Sequence, residues 1–177
     1  NVEADHLDFF KDLADVEHSF RRFAELVPPG GHIVANMDDC GARDTLRNLS
    51  QPVFWFSYDD PGAQCRAENI VWNGGLPSFD ISIRGAFYAH GSLRVGGKHN
   101  VMNARAAASA AYLLGIGGDA VGLGLATFPG AGRRFEFKGR YHGADVYDDY
   151  AHHPGELHAL LTMARNLPYK RIICAFQ

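Results

Sequence analysis

The chain has 177 residues, of which 46% are hydrophobic and 21% charged, and its formal net charge is -3. These values are typical of a globular chain that forms one full core, or one core and part of another. Basic and acidic residues are interleaved, which disfavours a nucleic acid partner. The apolar run at residues 106–117 is too short and alanine-rich to span a bilayer, and the amino end lacks a signal pattern. We therefore expect a cytoplasmic protein with no nucleic acid or membrane partner.

Both ends of the sequence predict that it is part of a longer chain. The sequence starts on Asn1, without methionine, in a segment already dense in polar residues. It stops directly after residues 171–176, which have the pattern of a buried strand.

The first part of the chain alternates helix and strand patterns. Apolar residues near helical spacing predict a helix over residues 15–26, which the Pro-Pro-Gly-Gly segment at 28–31 stops. A strand at 32–36, a helix at 38–49 and a strand at 53–57 follow. Sequential units of this kind predict a layered α/β domain with a largely parallel sheet.

Residues 66–95 have a different pattern, in which segments of alternating apolar and polar residues are separated by glycines at 74–75 and 85. This pattern predicts a small antiparallel meander. An alanine-rich helix is predicted over residues 103–114, and a second helix over residues 119–127.

A break in all periodicity at residues 128–132 predicts a hinge between two domains, residues 1–131 and 132–177. The second domain is expected to open with a β-α-β unit. Its predicted elements are strands at residues 135–138, 144–148 and 171–176 and a helix at residues 153–166.

The first chemical cluster combines Glu3, Asp5, His6 and Asp8 at a predicted strand end, where α/β domains usually bind ligands. Carboxylates with an imidazole suit magnesium, manganese or zinc. The alternative is a solvated acidic turn with a helix-capping aspartate.

A second cluster places Asn100 and Asn103 at the start of a predicted helix, directly after Gly96-Gly97-Lys98-His99. Asparagine amides can pair with an adenine-like ring, and a helix start favours anions. The alternative role for either asparagine is a helix cap.

Arg133 and Arg134 lie beside the predicted hinge, where domain closure could carry a guanidinium onto a phosphate. The alternative is an interdomain ion pair with an aspartate or glutamate.

The densest cluster is Asp148-Asp149-Tyr150-Ala151-His152-His153-Pro154-Gly155-Glu156, where a predicted strand gives way to a helix. A loop at this place can direct carboxylate, phenol and imidazole groups at one ligand. The alternative is that Asp149 caps the helix and the histidines are surface residues.

These four clusters occur in the order and rough spacing of the Mur ligases, and together they cover nearly the whole chain. The chain thus resembles this family. The resemblance implies an α/β fold: a central ATPase-type domain with a mostly parallel sheet plus a small antiparallel meander, followed by the start of a Rossmann-like carboxy-terminal domain. It also implies that an amino acid is joined to a UDP-muramyl carboxylate through an acyl phosphate made from ATP with magnesium.

The Asp-His-Leu-Asp and Asp-Tyr-Ala-His-His-Pro strings are most similar to those of the family members that add L-alanine to UDP-N-acetylmuramate. Relatives that recycle a muramyl tripeptide are the alternative within the family.

The resemblance implies two magnesium ions, which manganese can replace. It also implies a role for eight residues of this chain. His6 would ligate the second magnesium; His99, Asn100 and Asn103 would face adenine; Asp149 would bind the ATP ribose; Arg134 would bind the transferred phosphate; Tyr150 and His152 would place alanine or the tetrahedral intermediate.

The sequence contains no Gly-x-x-Gly-Lys-Thr phosphate loop, and the uridine-binding domain of the family is also missing. We therefore do not expect this chain alone to catalyse ligation. Two readings from other classes stay open. One is a two-metal phosphohydrolase that uses Asp5, His6, Asp148 and His152, which would have to share one pair of ions. The other is a non-catalytic binding module.

Overall fold

A computed structural model describes residues 1–176, which form five helices and seven strands. In chain order they are α1 Leu13–Glu25, β1 Ile33–Asn36, α2 Cys40–Leu46, β2 Val53–Phe56, β3 Cys65–Asn73, β4 Leu76–Ile83, β5 Ala86–Ser92, α3 Lys98–Leu113, α4 Gly118–Thr127, β6 Glu136–Tyr141, β7 Ala144–Asp148 and α5 Pro154–Ala164. None of the helices in this part of the chain is both long and apolar enough to cross a membrane.

One five-stranded sheet, in the order β1-β2-β3-β4-β5, organises the first part of the chain. The pairs β1–β2 and β2–β3 are parallel, whereas β3–β4 and β4–β5 are antiparallel. The predicted parallel strands and the predicted meander are therefore both present, and they are continuous within one sheet. The mixed α/β class expected from the sequence is confirmed.

The main core lies between this sheet and α3. Alternation along β4 buries Phe79, Ile81 and Ile83 on one face, and the opposing surface of α3 includes Val101 and Ala108, both fully buried. Burying a side chain of the size of isoleucine or phenylalanine stabilises the fold by roughly 1.5–3 kcal/mol. The position of the start of α3, which carries one predicted cluster, is fixed by this packing.

Helix α4 approaches the edge strand β5 very closely. A Cβ atom built on Gly118, the first residue of α4, would lie 1.6 Å from the carbonyl oxygen of Tyr88 in β5. The Tyr88 hydroxyl donates to the Ile116 carbonyl at 2.6 Å, just before the helix. Glycine at position 118 is therefore required by the close approach of the two backbones.

The second part of the chain differs from the predicted β-α-β unit. Strands β6 and β7 pair antiparallel as a hairpin, and its turn residues His142 and Gly143 have positive φ angles of 48° and 83°. Residues 171–176 do not form the predicted strand, and Ile173 and Phe176 remain exposed. A strand needs a neighbour for its backbone hydrogen bonds, and within residues 1–176 the second sheet contains only β6 and β7.

We expect Gly118→Ala to destabilise the protein by about 1–3 kcal/mol, because the new methyl group overlaps the Tyr88 backbone. The matched control is Gly117→Ala, since a Cβ atom at position 117 meets nothing within 4 Å and its φ of -70° suits alanine. Urea unfolding of both variants measures the difference. Equal stabilities for the two variants would contradict the close packing of α4 on β5.

Candidate nucleotide site

A cleft of about 1420 Å³ lies between α3 and α4 on one side and the β6–β7 hairpin and α5 on the other. It brings together side chains from all four clusters, which are separate in sequence, and Glu3 is the member from the first cluster. The predicted residues that line it are His99, Asn100, Asn103, Arg134 and Asp149.

Asn100 and Asn103 lie within the first two turns of α3 rather than at its N-cap position. The residue at the N-cap position is Gly97, whose φ is +95°, and Asn100 and Asn103 are the third and sixth residues of α3. The Asn100 side-chain amide donates to the Gly96 backbone carbonyl at 2.7 Å, and the Asn103 side-chain amide donates to Asn100 Oδ1 at 3.4 Å. The alternative role as helix caps is therefore wrong for both asparagines.

His99 is half-buried beside Asn100, with 3.2 Å between its Nε2 and the Asn100 Nδ2. Burial lowers the pKa of His99; the Asp149 carboxylate opposes this effect, and the Arg134 guanidinium adds to it. Burial therefore favours the neutral imidazole, which carries one donor and one acceptor nitrogen. Such a ring suits recognition of an uncharged heterocycle.

The Asp149 carboxylate accepts two backbone hydrogen bonds and so orders the segment between the hinge and α5. One carboxylate oxygen accepts from the Phe135 backbone N–H at 2.7 Å, and the other accepts from Ala151 N–H at 2.8 Å. The predicted alternative, that Asp149 caps the helix, is wrong, because the N-cap of α5 is His153. An ionised carboxylate has about four acceptor sites, so Asp149 retains acceptors for a ligand hydroxyl.

Glu156 is a site residue to which the sequence reasoning gave no role. Its carboxylate accepts from the backbone N–H groups of His152 at 3.2 Å and His153 at 3.5 Å, and the latter contact completes a capping box. Its other oxygen accepts from Arg134 at 3.2 Å. The acidic residue three positions after the helix cap was the available sequence signal.

Arg134 therefore forms an ion pair, but its partner Glu156 belongs to the same predicted domain, so this is not the interdomain pair that was the alternative to phosphate binding. The two roles are compatible, because a guanidinium has five N–H donors. For Glu156, burial raises the pKa, but the hydrogen bonds from His152 and Arg134 outweigh it, and the pKa is lowered overall.

Tyr150 and His152 lie together outside the cleft lining. Their rings are 5.2 Å apart, and His152 Nδ1 lies 3.0 Å from the Tyr150 carbonyl oxygen. The Arg133 guanidinium covers the Tyr150 ring at 4.6 Å. Tyr150 is nevertheless half-exposed, so both side chains are accessible from the same loop as Asp149.

His6 also lies outside the cleft lining, on an exposed turn, with a left-handed φ of +54°. Its Nε2 is 3.7 Å from the Asp5 carboxylate. The neighbouring Glu3 reaches the start of α5, where its Oε2 lies 3.6 Å from His153 Nδ1. The first and last clusters of the sequence are therefore in contact.

Within residues 1–176, no group of three or more histidine, cysteine, aspartate or glutamate side chains is arranged to hold a metal ion. The two-metal phosphohydrolase needs such a group, so the described residues give that reading no support.

Comparison with known proteins agrees with this architecture. A family model described as the Mur ligase middle domain matches residues 1–111, and one described as the Mur ligase glutamate ligase domain matches residues 133–177. The chain is 42% identical to the UDP-N-acetylmuramate--L-alanine ligase of Clostridium novyi (strain NT), over 100% of this chain and 38% of that relative.

Solved structures show the same fold. MurF from Acinetobacter baumannii matches with a TM-score of 0.81 and 21% identity, over 94% of this chain and 36% of that one. The UDP-N-acetylmuramate:L-alanyl-gamma-D-glutamyl-meso-diaminopimelate ligase from Neisseria meningitides matches with a TM-score of 0.61 and 30% identity, over 74% of this chain and 39% of that one.

The mixed sheet and the helices packed against it define an α/β protein. The chain belongs to the Mur ligase family, whose members are ATP-dependent ligases. It spans 38% of the length of the Clostridium novyi relative.

We expect acid to destabilise the protein through His99. Burial lowers the pKa of His99, so the folded state binds fewer protons than the unfolded state, whose histidine pKa is about 6.5. This contribution is therefore present above the unfolded pKa and is lost as pH falls through the folded pKa. Urea unfolding at a series of pH values, with His99→Gln as the comparison, measures it. An identical pH dependence for both proteins would contradict the assignment.

Proposed function

We propose that this chain is the ATP-binding and carboxy-terminal part of a ligase that joins L-alanine to the lactyl carboxylate of UDP-N-acetylmuramate, in peptidoglycan precursor synthesis. The observation that carries this proposal is the 42% identity with a UDP-N-acetylmuramate--L-alanine ligase along the whole chain. The convergence of five of the residues implied by the family resemblance on one cleft supports it.

The cleft supports a specific placement of ATP. Adenine would lie against the start of α3, where His99, Asn100 and Asn103 offer donors and acceptors. The ribose would then donate a hydroxyl to Asp149, across the cleft. The phosphates would extend toward Arg134, which Glu156 already holds at the cleft wall.

The reaction would then proceed in two steps. A lactyl carboxylate oxygen attacks the terminal phosphorus of ATP and ADP leaves, which gives an acyl phosphate. The amine of L-alanine attacks its carbonyl carbon, phosphate leaves, and the amide forms. Arg134 would neutralise charge that develops on the transferred phosphoryl group. Tyr150 and His152, on the loop that carries Asp149, would position the incoming alanine.

His6 would bind one of two magnesium ions, which manganese can replace. Bound magnesium would supply charge neutralisation at the phosphoryl oxygens. The ion would need most of its ligands from nucleotide, water or other parts of the protein, because the described residues supply no larger donor group.

The hinge at residues 128–132 would let the two parts move relative to each other. We propose residues 1–131 and 132–177 as parts of separate domains. Side chains of both line the cleft, so their closure would bring Arg134 and Asp149 toward a nucleotide held at α3. Closure of this kind excludes water from a reactive acyl phosphate.

We expect the full-length protein to release ADP from ATP and magnesium only when UDP-N-acetylmuramate and L-alanine are both present. A coupled ADP assay with single L-amino acids, and with the tripeptide L-alanyl-D-glutamyl-diaminopimelate, measures this. Release with the tripeptide but not with L-alanine would overturn the proposal in favour of the recycling ligase, whose Neisseria representative shares this fold.

We expect Arg134→Lys to lower kcat by roughly 10²-fold or more, because an ammonium group loses the planar fork that contacts a phosphate in two places. The matched control is Arg140→Lys in β6, where an exposed arginine pairs with Asp145 outside the cleft. The same ADP assay measures both variants. A loss of similar size in both would contradict the role of Arg134.

A further inference from the structure

A chain of four hydrogen-bonded side chains lies on the outer face of the antiparallel meander. Ser78 Oγ is 3.0 Å from His90 Nε2, and His90 Nδ1 is 2.8 Å from Asp80 Oδ1. The Asn69 amide donates to the other Asp80 oxygen at 2.9 Å. A hydroxyl, an imidazole and a carboxylate in this order form the arrangement that activates a serine nucleophile.

The strand register creates this arrangement. Ser78 and Asp80 are two residues apart in β4, so they share the face opposite to buried Phe79. His90 lies directly across from Asp80 in β5. Its ring can therefore contact the aspartate with one nitrogen and the serine with the other.

An irregularity in β3 adds the fourth member. The β3–β4 register shifts between Glu68 and Val71, and Asn69 within this bulge has a left-handed φ of +54°. A bulge redirects a side chain that regular pleating would place elsewhere. Here the bulge places the Asn69 amide against Asp80, and this contact holds the carboxylate in place for His90.

The hydrogen bonds to Asp80 indicate which nitrogen of His90 could accept a proton from Ser78. The hydrogen bond from Asn69, and then that from His90, lower the pKa of Asp80, so this carboxylate is ionised at neutral pH. In the tautomer that carries its proton on Nδ1, His90 donates to this carboxylate at 2.8 Å, and the lone pair of Nε2 faces Ser78. Nε2 in this tautomer can accept the serine proton.

We propose that Ser78 is a nucleophile for small activated esters, with His90 as its general base and Asp80 as the residue that orients the imidazole. Ser78 Oγ attacks the ester carbonyl carbon and its proton passes to His90 Nε2. The carbon–oxygen bond to the alcohol breaks, and the alcohol leaves with the proton from His90. Water then cleaves the acyl-serine in the same manner, which restores Ser78 and releases the acid.

This site is distinct from the nucleotide cleft, because Ser78, Asp80 and His90 are all absent from the cleft lining. The His90 side chain is 58% exposed and that of Asp80 33% exposed, so solvent and small reagents reach the imidazole.

The test is the rate at which a fluorophosphonate probe labels individual serines of the full-length protein, read by peptide mass spectrometry. The probe forms a stable Oγ–phosphorus bond and releases fluoride. Ser92 is the internal control, because it lies directly across from Ser78 in the same ladder and is the more exposed of the two, so exposure alone would favour labelling of Ser92. A general base contributes about 10²–10⁴-fold, so we expect Ser78 to react at least about tenfold faster than Ser92.

His90→Gln and Asp80→Asn test the relay at accessible positions, and circular dichroism checks that both variants fold. We expect each to slow the labelling of Ser78 toward the rate of Ser92. Ser78→Ala should abolish p-nitrophenolate release in the acyl-enzyme burst with p-nitrophenyl acetate and leave ligase ADP release unchanged. Equal labelling of Ser78 and Ser92, or labelling of Ser78 that is unaffected by His90→Gln, would overturn the proposal.

Discussion

The burial of α3 against the five-stranded sheet is the constraint on which the rest of the structure depends. Alanines and other small side chains on one face of the helix let it approach the apolar face of β4, and the resulting contacts are free of solvent. This packing fixes the axis and rotation of α3. The polar residues at its first turns, His99 and Asn103 among them, therefore face the cleft rather than the core.

Hydrogen bonds to carboxylates order the loop that carries the site residues of the second part of the chain, and side chains of this part line the cleft together with those of α3. Asp149 accepts two backbone N–H groups, Glu156 joins Arg134 to the start of α5, and Glu3 reaches His153. The Glu156–Arg134 ion pair is partly exposed, so it contributes about 0–1 kcal/mol. Between the two parts of the chain, Glu3 Oε2 lies 3.6 Å from His153 Nδ1.

The two faces of β4 separate two kinds of chemistry. Its buried face supplies Phe79, Ile81 and Ile83 to the core, whereas its outer face carries Ser78 and Asp80. The period-two alternation of a strand makes this separation unavoidable. A polar network can therefore form on the outer face without disturbing the packing that positions α3.

Arg105 shows why some of the interior was not predictable. A cation on an alanine-rich helix is expected at the surface, yet this side chain is fully buried, donates to the Ser57 carbonyl and lies 4.6 Å from the Tyr58 ring. Its Nε and Nη2 have no hydrogen-bond partner among the described residues. Burial lowers the pKa of this guanidinium. The sequence places Arg105 on a helix but does not say which face of that helix is covered.

The sequence by itself determined the order and type of most elements, because apolar periodicity, glycine turns and caps are local properties. Periodicity predicted α1, the alanine-rich run predicted α3, and the glycines at 74–75 and 85 predicted the meander turns. The clusters at Asn100, Arg134 and Asp149 were also visible as strings. Tertiary structure alone decided that these strings meet in one cleft, that Glu156 holds Arg134, and that His90 lies between Ser78 and Asp80. It also decided that residues 171–176 form no strand, because strand formation depends on a partner that local sequence does not contain.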